Sequence, residues 1–140
     1  MYIESSSSSP SPVESVSLSN LTFEGNSAVN GQGGAFYRSG NVSVTVWNSS
    51  LTSNSALKGG GFYLEAGSSS MRLTRLVSNN GTSNGGGLMI EGMEMLTVSN
   101  CTLQGNNASI SGGGVYVSGE AVLQAQDNLF SDNTALGNLT

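Results

Sequence analysis

Residues 20–37 read NLTFEGNSAVNGQGGAFY, and the fold follows from how this stretch recurs. An apolar residue, two variable positions and an asparagine stand at Phe23/Asn26. The same spacing returns at Leu51/Asn54, Leu76/Asn79, Leu103/Asn106 and Phe130/Asn133. The asparagines lie 28, 25, 27 and 27 residues apart. Two residues after each comes a small residue: Ala28, Ala56, Gly81, Ala108 and Ala135. Three residues before the apolar position stands Asn20, Asn48, Leu73, Asn100 or Asp127. A glycine run closes each of the first four units, first as Gly33-Gly34-Ala35-Phe36-Tyr37 and then as Gly59-Gly60-Gly61-Phe62-Tyr63. Gly85-Gly86-Gly87-Leu88-Met89 and Gly112-Gly113-Gly114-Val115-Tyr116 follow, the first glycines 26, 26 and 27 apart. A fixed period of this length marks a stacked repeat architecture.

The repeat is built of strands. Val42, Val44 and Val46 alternate with Ser43 and Thr45, the period-two pattern of a half-buried strand. No segment holds a 3.6-residue period for three turns, so no helix is expected. Gly, Asn and Ser between the apolar stretches accept turn and left-handed conformations. The reading is an all-β parallel β-helix solenoid of about 27 residues per coil and roughly five coils. Such a coil cannot bury its apolar side alone. Stacked coils pair strand to strand at about 4.8 Å and share one core, about 24 Å long for five coils. Phe23, Leu51, Leu76, Leu103 and Phe130 then form an inward hydrophobic ladder. Asn26, Asn54, Asn79, Asn106 and Asn133 form a corner ladder whose amides bond backbone of their own turn and of the next coil. The pattern alone leaves the hand of the coil open.

A leucine-rich repeat competes, because Leu18, Leu21, Phe23 and Asn26 fit L-x-x-L-x-L-x-x-N. Two observations count against it. The second leucine becomes Ser49, Thr74, Cys101 and Asn128 in later units. A glycine run and a second β-like stretch follow the asparagine where a convex-side helix is required. A β-sandwich is the remaining alternative.

The pairing of F-x-x-N with G-G-A and an apolar residue resembles the repeats of chlamydial polymorphic outer membrane proteins. It is also similar to repeats of the broader right-handed β-helix, pectin-lyase-like group. The resemblance covers residues 15–140 and is carried by Phe23/Asn26, Gly33-Gly34-Ala35-Phe36 and Phe130/Asn133. The middle repeats depart from it, with Leu51, Leu76 and Leu103 in place of Phe and Gly61, Gly87 and Gly114 in place of Ala. It implies a right-handed coil and a surface-displayed, adhesion-linked segment in an extracellular or cell-surface setting. Glycans or another surface protein are the partners implied.

Composition narrows the classes further. Of 140 residues, 36% are hydrophobic and only 9% charged, with a net charge of −5. The four basic residues, Arg38, Lys58, Arg72 and Arg75, are scattered, so there is no basic face for nucleic acid. No apolar run reaches the length of a membrane span, and the start lacks the apolar region of a secretion signal. Residues 1–14 read as a Ser/Pro-rich linker or an extended strand-side segment before the repeats of 15–140. The repeats stop at Thr140 before a fifth glycine run, and the expectation is a piece of a longer solenoid. The single cysteine, Cys101, reads as a small core residue.

The chemistry is sparse. With no histidine, Ser-His-Asp and Cys-His nucleophiles are excluded, as are histidine metal sites. No catalytic residue, metal site or cofactor is expected, and the chain reads as a non-enzyme. Glu65 and Glu91, 26 apart at equal offsets from the glycine runs, are expected on neighbouring coils. Two such carboxylates suit a glycosidase, but read more simply as solvated rim charges. The glycine runs lack the Lys-Ser/Thr and helix of a phosphate loop and read as corners. Tyr37, Tyr63 and Tyr116, with Met89 among them, immediately follow the Phe36 column. Adjacent strand residues face opposite ways, so this column is expected to face out as an aromatic ladder for sugars or a partner protein. Seven glycosylation sequons begin at Asn20, Asn41, Asn48, Asn80, Asn100, Asn107 and Asn138, against about four by chance. Asn20, Asn48 and Asn100 are assigned to the corner ladder, too buried to modify. The functional expectation is a structural or adhesive β-helix segment. The alternatives are a fragment of a carbohydrate-active enzyme and a glycan-binding module.

Overall fold

The corners are set by residues with left-handed backbone. Asn20, Asn48, Leu73, Asn100 and Asp127 form one column, with φ of 54, 47, 50, 52 and 53°. Gly25, Ser53, Ser78, Gly105 and Asp132 form a second, at 65, 55, 54, 61 and 55°. Asn, Asp and Gly tolerate this region far better than branched or bulky residues. Each pair of corners isolates a three-residue strand carrying one inward apolar side chain, which explains the regular spacing from the first corner to the Asn ladder.

The computed structural model describes residues 1–4 and 14–137. The first turn holds β1 (Tyr2–Glu4), β2 (Glu14–Ser19), β3 (Thr22–Glu24) and β4 (Ser27–Gln32). The second holds β5 (Phe36–Ser39), β6 (Val42–Trp47), β7 (Ser50–Thr52) and β8 (Ser55–Lys58). In the third, β9 (Phe62–Arg72) spans two strand positions before β10 (Arg75–Val77) and β11 (Asn80–Asn84). The fourth holds β12 (Leu88–Ser99), β13 (Thr102–Gln104) and β14 (Asn107–Ala108). The fifth holds β15 (Val115–Val117), β16 (Val122–Gln126), β17 (Leu129–Ser131) and β18 (Thr134–Ala135). All pairings are parallel and fall into three sheets. One combines the strands on both sides of the Gly40 turn, and the others run β3-β7-β10-β13-β17 and β4-β8-β11-β14-β18. The all-β solenoid of about five coils read from the sequence is therefore the fold.

Tyr2–Glu4, within the segment read as a linker, is a strand on β5, with Tyr2 opposite Tyr37 and Ile3 opposite Arg38. The rest of that reading, residues 5–13, lies outside the described residues, as does the sequon at Asn138.

The core is a set of rows. Phe23, Leu51, Leu76, Leu103 and Phe130 are register partners. The middle three are fully buried, Phe23 is half-buried, and Phe130 is 46% exposed on the last coil. Phe36 and Phe62 stack with ring centroids 5.1 Å apart, followed by Leu88 and Val115. Ala28, Ala56, Gly81, Ala108 and Ala135 line the third sheet. The glycine runs are close approaches of backbone. A Cβ on Gly60 would lie 2.5 Å from the carbonyl oxygens of Asn80 and Gly86, which no side-chain adjustment relieves.

Two polar ladders tie coil to coil. Asn26, Asn54, Asn79 and Asn106 each donate backbone N–H and Nδ2 to Oδ1 of the asparagine one coil on, at 2.9–3.0 Å. Nδ2 of Asn54, Asn79, Asn106 and Asn133 also donates to the carbonyl of Phe23, Leu51, Leu76 and Leu103. That carbonyl belongs to the preceding coil, where the sequence led us to expect an own-turn partner; only Asn26 bonds its own turn, at Glu24. The second ladder is the Ser49, Thr74, Cys101 and Asn128 column. The backbone N–H of Leu21, Ser49 and Cys101 donates to Ser49 Oγ, Thr74 Oγ1 and Asn128 Oδ1. The position that departs from the leucine-rich pattern is thus a buried hydrogen-bonding row. Cys101 belongs to it, its thiol pushed up by burial.

Candidate functional site

The face singled out by the sequence is the outer side of β1, β5, β9, β12 and β15. Tyr2, Tyr37, Tyr63, Met89 and Tyr116 are successive register partners there. Tyr2 and Tyr37 have ring centroids 4.9 Å apart, and Tyr37 and Tyr63 are 5.1 Å apart, edge to face. Such tilted contacts suit the ring quadrupole. Next along these strands Glu4 stands opposite Ser39 and Glu91 directly opposite Glu65, the latter as the sequence spacing predicted. The Glu65 and Glu91 carboxylates each accept from a tyrosine one coil back: Tyr37 Oη to Glu65 Oε2 at 3.2 Å, and Tyr63 Oη to Glu91 Oε2. Lys58 Nζ adds an ion pair 3.6 Å from Glu91 Oε2, with both side chains about a third exposed. That pair is worth little in free energy.

The expectation of an exposed tyrosine ladder is corrected at its centre. Tyr63 is only 3% exposed and Met89 1%, while Tyr37 and Tyr116 are half-buried. The strand does alternate, but its outward side falls into the crease made by the glycine turn. A Cβ on Gly59 would lie 3.0 Å from the Tyr63 Cβ, and one on Gly85 2.7 Å from the Met89 Cβ. Stacking from the coils on either side closes the rest. Burial, then the Glu91 hydrogen bond, raises the Tyr63 phenol well above its ordinary value, and burial foremost raises Tyr37. Glu4 holds the Tyr2 phenol up at about 12 through a side-chain hydrogen bond. The accessible part of the face is therefore Tyr2, Tyr37 and Tyr116 with the two glutamates. This set offers aromatic edges and acceptor oxygens.

A buried charged cluster escaped the sequence reading. Arg38 stands in the inward column with Ile3, Leu64, Ile90 and Val117, and its side chain is fully buried. Nη2 meets Glu94 Oε2 at 2.7 Å with neither side chain exposed, and Ser69 Oγ at 2.7 Å. Nη1 donates to the carbonyls of Gly40, Glu65 and Ala66. Gly67 leaves the room, since a Cβ there would lie 2.8 Å from Nη1. Ser69 occupies a row otherwise filled by Val44 and Leu96. That apolar row broken by one serine, beside an arginine in the adjacent inward row, is the signal that was available. Its partner, Glu94, is 56 residues away, behind a register shift between Glu91 and Glu94.

The sequon asparagines Asn20, Asn48 and Asn100 are also corrected. They are exposed, because they occupy the first left-handed corner rather than the buried Asn ladder. Among the described residues no group of three or more His, Cys, Asp and Glu could hold a metal ion. No helix there is long and apolar enough to cross a membrane.

A family model described as a right-handed beta helix region matches residues 2–139. The chain belongs to the right-handed β-helix family. No curated protein and no solved structure matches it. In this β-helix the inward Asn row serves the stacking of coils, and the Tyr–Glu face groups partly exposed aromatic and carboxylate side chains.

Proposed function

We propose that this β-helix is a non-catalytic, rigid segment of an extracellular or cell-surface protein that displays its Tyr–Glu face for adhesion. The observation that carries the reading is the unbroken Asn row from Asn26 to Asn133, which bonds every coil to the next. A buried amide row fixes spacing along the axis, as a spacer or display scaffold requires. The likeness of Phe23/Asn26 and Gly33-Gly34-Ala35-Phe36 to repeats of surface-displayed passengers supports the location. The test is retention of the immobilised chain on a panel of polysaccharides and on cell surfaces, with intact source cells labelled from outside. Binding lowered at least tenfold by Tyr37→Ala with Tyr116→Ala, and labelling without permeabilisation, are expected. Labelling only after permeabilisation would sink the reading.

One observation favours a second reading. Glu65 and Glu91 face each other one rung apart, near the separation of two carboxylates in a retaining glycosidase. Their bonds to Tyr37 and Tyr63 favour a structural use. Release of reducing sugar from a polysaccharide, abolished by Glu65→Gln or Glu91→Gln, would establish the enzyme instead.

A further inference from the structure

We propose that the exposed left-handed corner between the first and second sheets carries N-linked glycans, at Asn100 and at Asn20 or Asn48. The inference deepens the extracellular reading above and rests on it, because such glycans are added to chains that enter the secretory route. The sequons are Asn20-Leu21-Thr22, Asn48-Ser49-Ser50 and Asn100-Cys101-Thr102. Asn48 and Asn100 lie on inner coils, with a neighbouring rung on each side, and are still exposed. The corner explains this. Their backbone N–H groups stay in the ladder, donating to Arg72 O at 3.1 Å and Gln126 O at 3.2 Å, while φ of 47 and 52° throws the side chains outward. Among the described residues no hydrogen bond holds the Asn100 side-chain amide. The middle residues Ser49 and Cys101 are buried. Leu51 and Leu103 take the inward side of the next strands, so Ser50 and Thr102 face out. Acceptor amide and sequon hydroxyl therefore stand together on the outer flank of one corner, the placement that this modification requires.

The same motif at Asn80 and Asn107 is built differently. Both are half-buried partners on the third sheet. Asn107 Nδ2 donates to Asn80 Oδ1 at 3.0 Å, and Asn107 Oδ1 accepts from Thr134 Oγ1 at 2.9 Å. A glycan there would displace a bond between coils. At the corner the one such bond, Asn48 Nδ2 to Asn20 Oδ1 at 2.7 Å, is exposed. Those two side chains leave from adjacent rungs, about 4.8 Å apart, so a branched glycan on one blocks the other. In the transfer, Asn Nδ2 attacks C1 of an oligosaccharide carried on a lipid diphosphate. The Nδ2–C1 bond forms and the C1–O bond to the diphosphate breaks. The lipid diphosphate leaves, and one Nδ2 proton passes to a base of the transferase.

The surroundings of the corner suit a glycan. Trp47, next to Asn48, and Leu73, between Asn48 and Asn100 in the same column, are exposed apolar side chains. Only 9% of the residues are charged, and a bulky, solubilising sugar chain covers apolar surface that charge does not.

The test maps glycopeptides of the whole chain by mass spectrometry in two settings: isolated from its source cells, and secreted by cultured eukaryotic cells behind an added leader peptide. The second uses an Asn41→Gln, Asn138→Gln background, which removes the sequons away from this corner and outside the described residues. Enzymatic removal of N-glycans should lower the mass of the secreted chain by two glycans. Asn100→Gln should lose one, Asn20→Gln with Asn48→Gln the other, and Asn80→Gln or Asn107→Gln neither. Lysate and medium are both read, so a variant that folds poorly and is retained still reports its occupancy. A secreted chain without glycan, or with glycan only at Asn80 or Asn107, overturns the proposal. A bare chain from source cells that label from outside overturns it too and leaves the extracellular reading standing. Labelling only after permeabilisation sinks that reading and this one together.

Discussion

Replacing Asn79 with alanine removes the middle of the amide ladder. Its side chain is fully buried. Nδ2 donates to Leu51 O at 2.9 Å and to Asn106 Oδ1 at 3.0 Å. Oδ1 accepts from the backbone N–H and the Nδ2 of Asn54, both at 3.0 Å. Four hydrogen bonds are lost, each worth about 1 kcal/mol net. The Leu51 carbonyl and the Asn54 donors are left buried without these partners, which raises the cost rather than lowering it. A loss of about 4 kcal/mol follows, a large part of the ~5–15 kcal/mol that holds a domain folded. Asn26→Ala is the internal control. It loses a bond to Asn54 Oδ1 and a weak exposed one to Glu24 O, while Asn54 Oδ1 keeps the Asn26 backbone N–H. Its cost is about 1 kcal/mol or less. Urea unfolding, compared through midpoints at an unchanged slope, reads both. Equal costs for the two variants, or less than about 1 kcal/mol for Asn79→Ala, would refute the ladder as a main source of stability.

Three further outcomes are expected. Leu73 holds φ of 50° in a column otherwise Asn or Asp and is 47% exposed, so Leu73→Asn should raise stability by about 0.5–1 kcal/mol; a lower thermal midpoint would count against the corner assignment. Breaking the buried pair by Arg38→Met or Glu94→Leu alone should cost about 3–5 kcal/mol, while the double variant returns close to the parent; additive losses in the double-mutant cycle would show that the two charges do not act together. The Tyr63 phenol is raised in the folded state, so the neutral form is favoured there, and its contribution is full below the ordinary value near pH 10 and is lost as pH rises above it. The stability gap between the parent and Tyr63→Phe, followed by urea midpoints from pH 9 to 11.5, should therefore move against the parent at the alkaline end, and a constant gap would contradict the burial of the phenol.

Much of the fold was legible because a solenoid repeats its physical problem every coil. The Asn26 to Asn133 column and the Phe23 to Phe130 column are readable as rows from the residues alone, since each must satisfy the same neighbours. What was not legible depends on shape between strands. Tyr63 lies on the outward side of its strand, as alternation predicts, yet a crease at the glycine turn buries it. The column of Asn20 shares its residue type with the ladder of Asn26, but a left-handed corner leaves the first exposed and a cross-coil bond buries the second. Thr74 and Cys101 looked like lost leucines because their role is to accept or carry hydrogen bonds inside. Arg38 and Glu94 meet only after a register shift, which a spacing argument does not see. The candidate face was half readable: the Glu65–Glu91 pairing followed from spacing, whereas their engagement by tyrosines one coil back required the geometry.

The claim on which everything rests is that coils lie directly over one another in register. Glu24, Thr52, Val77, Gln104 and Ser131 form one outward row, so spin labels at Glu24 and Ser131, in a Cys101→Ser background, report four rungs at once. Pulsed electron–electron resonance should give a single narrow distance near 19 Å, four steps of about 4.8 Å. A broad distribution, or a mean beyond about 30 Å, would mean that the turns are not stacked in this register.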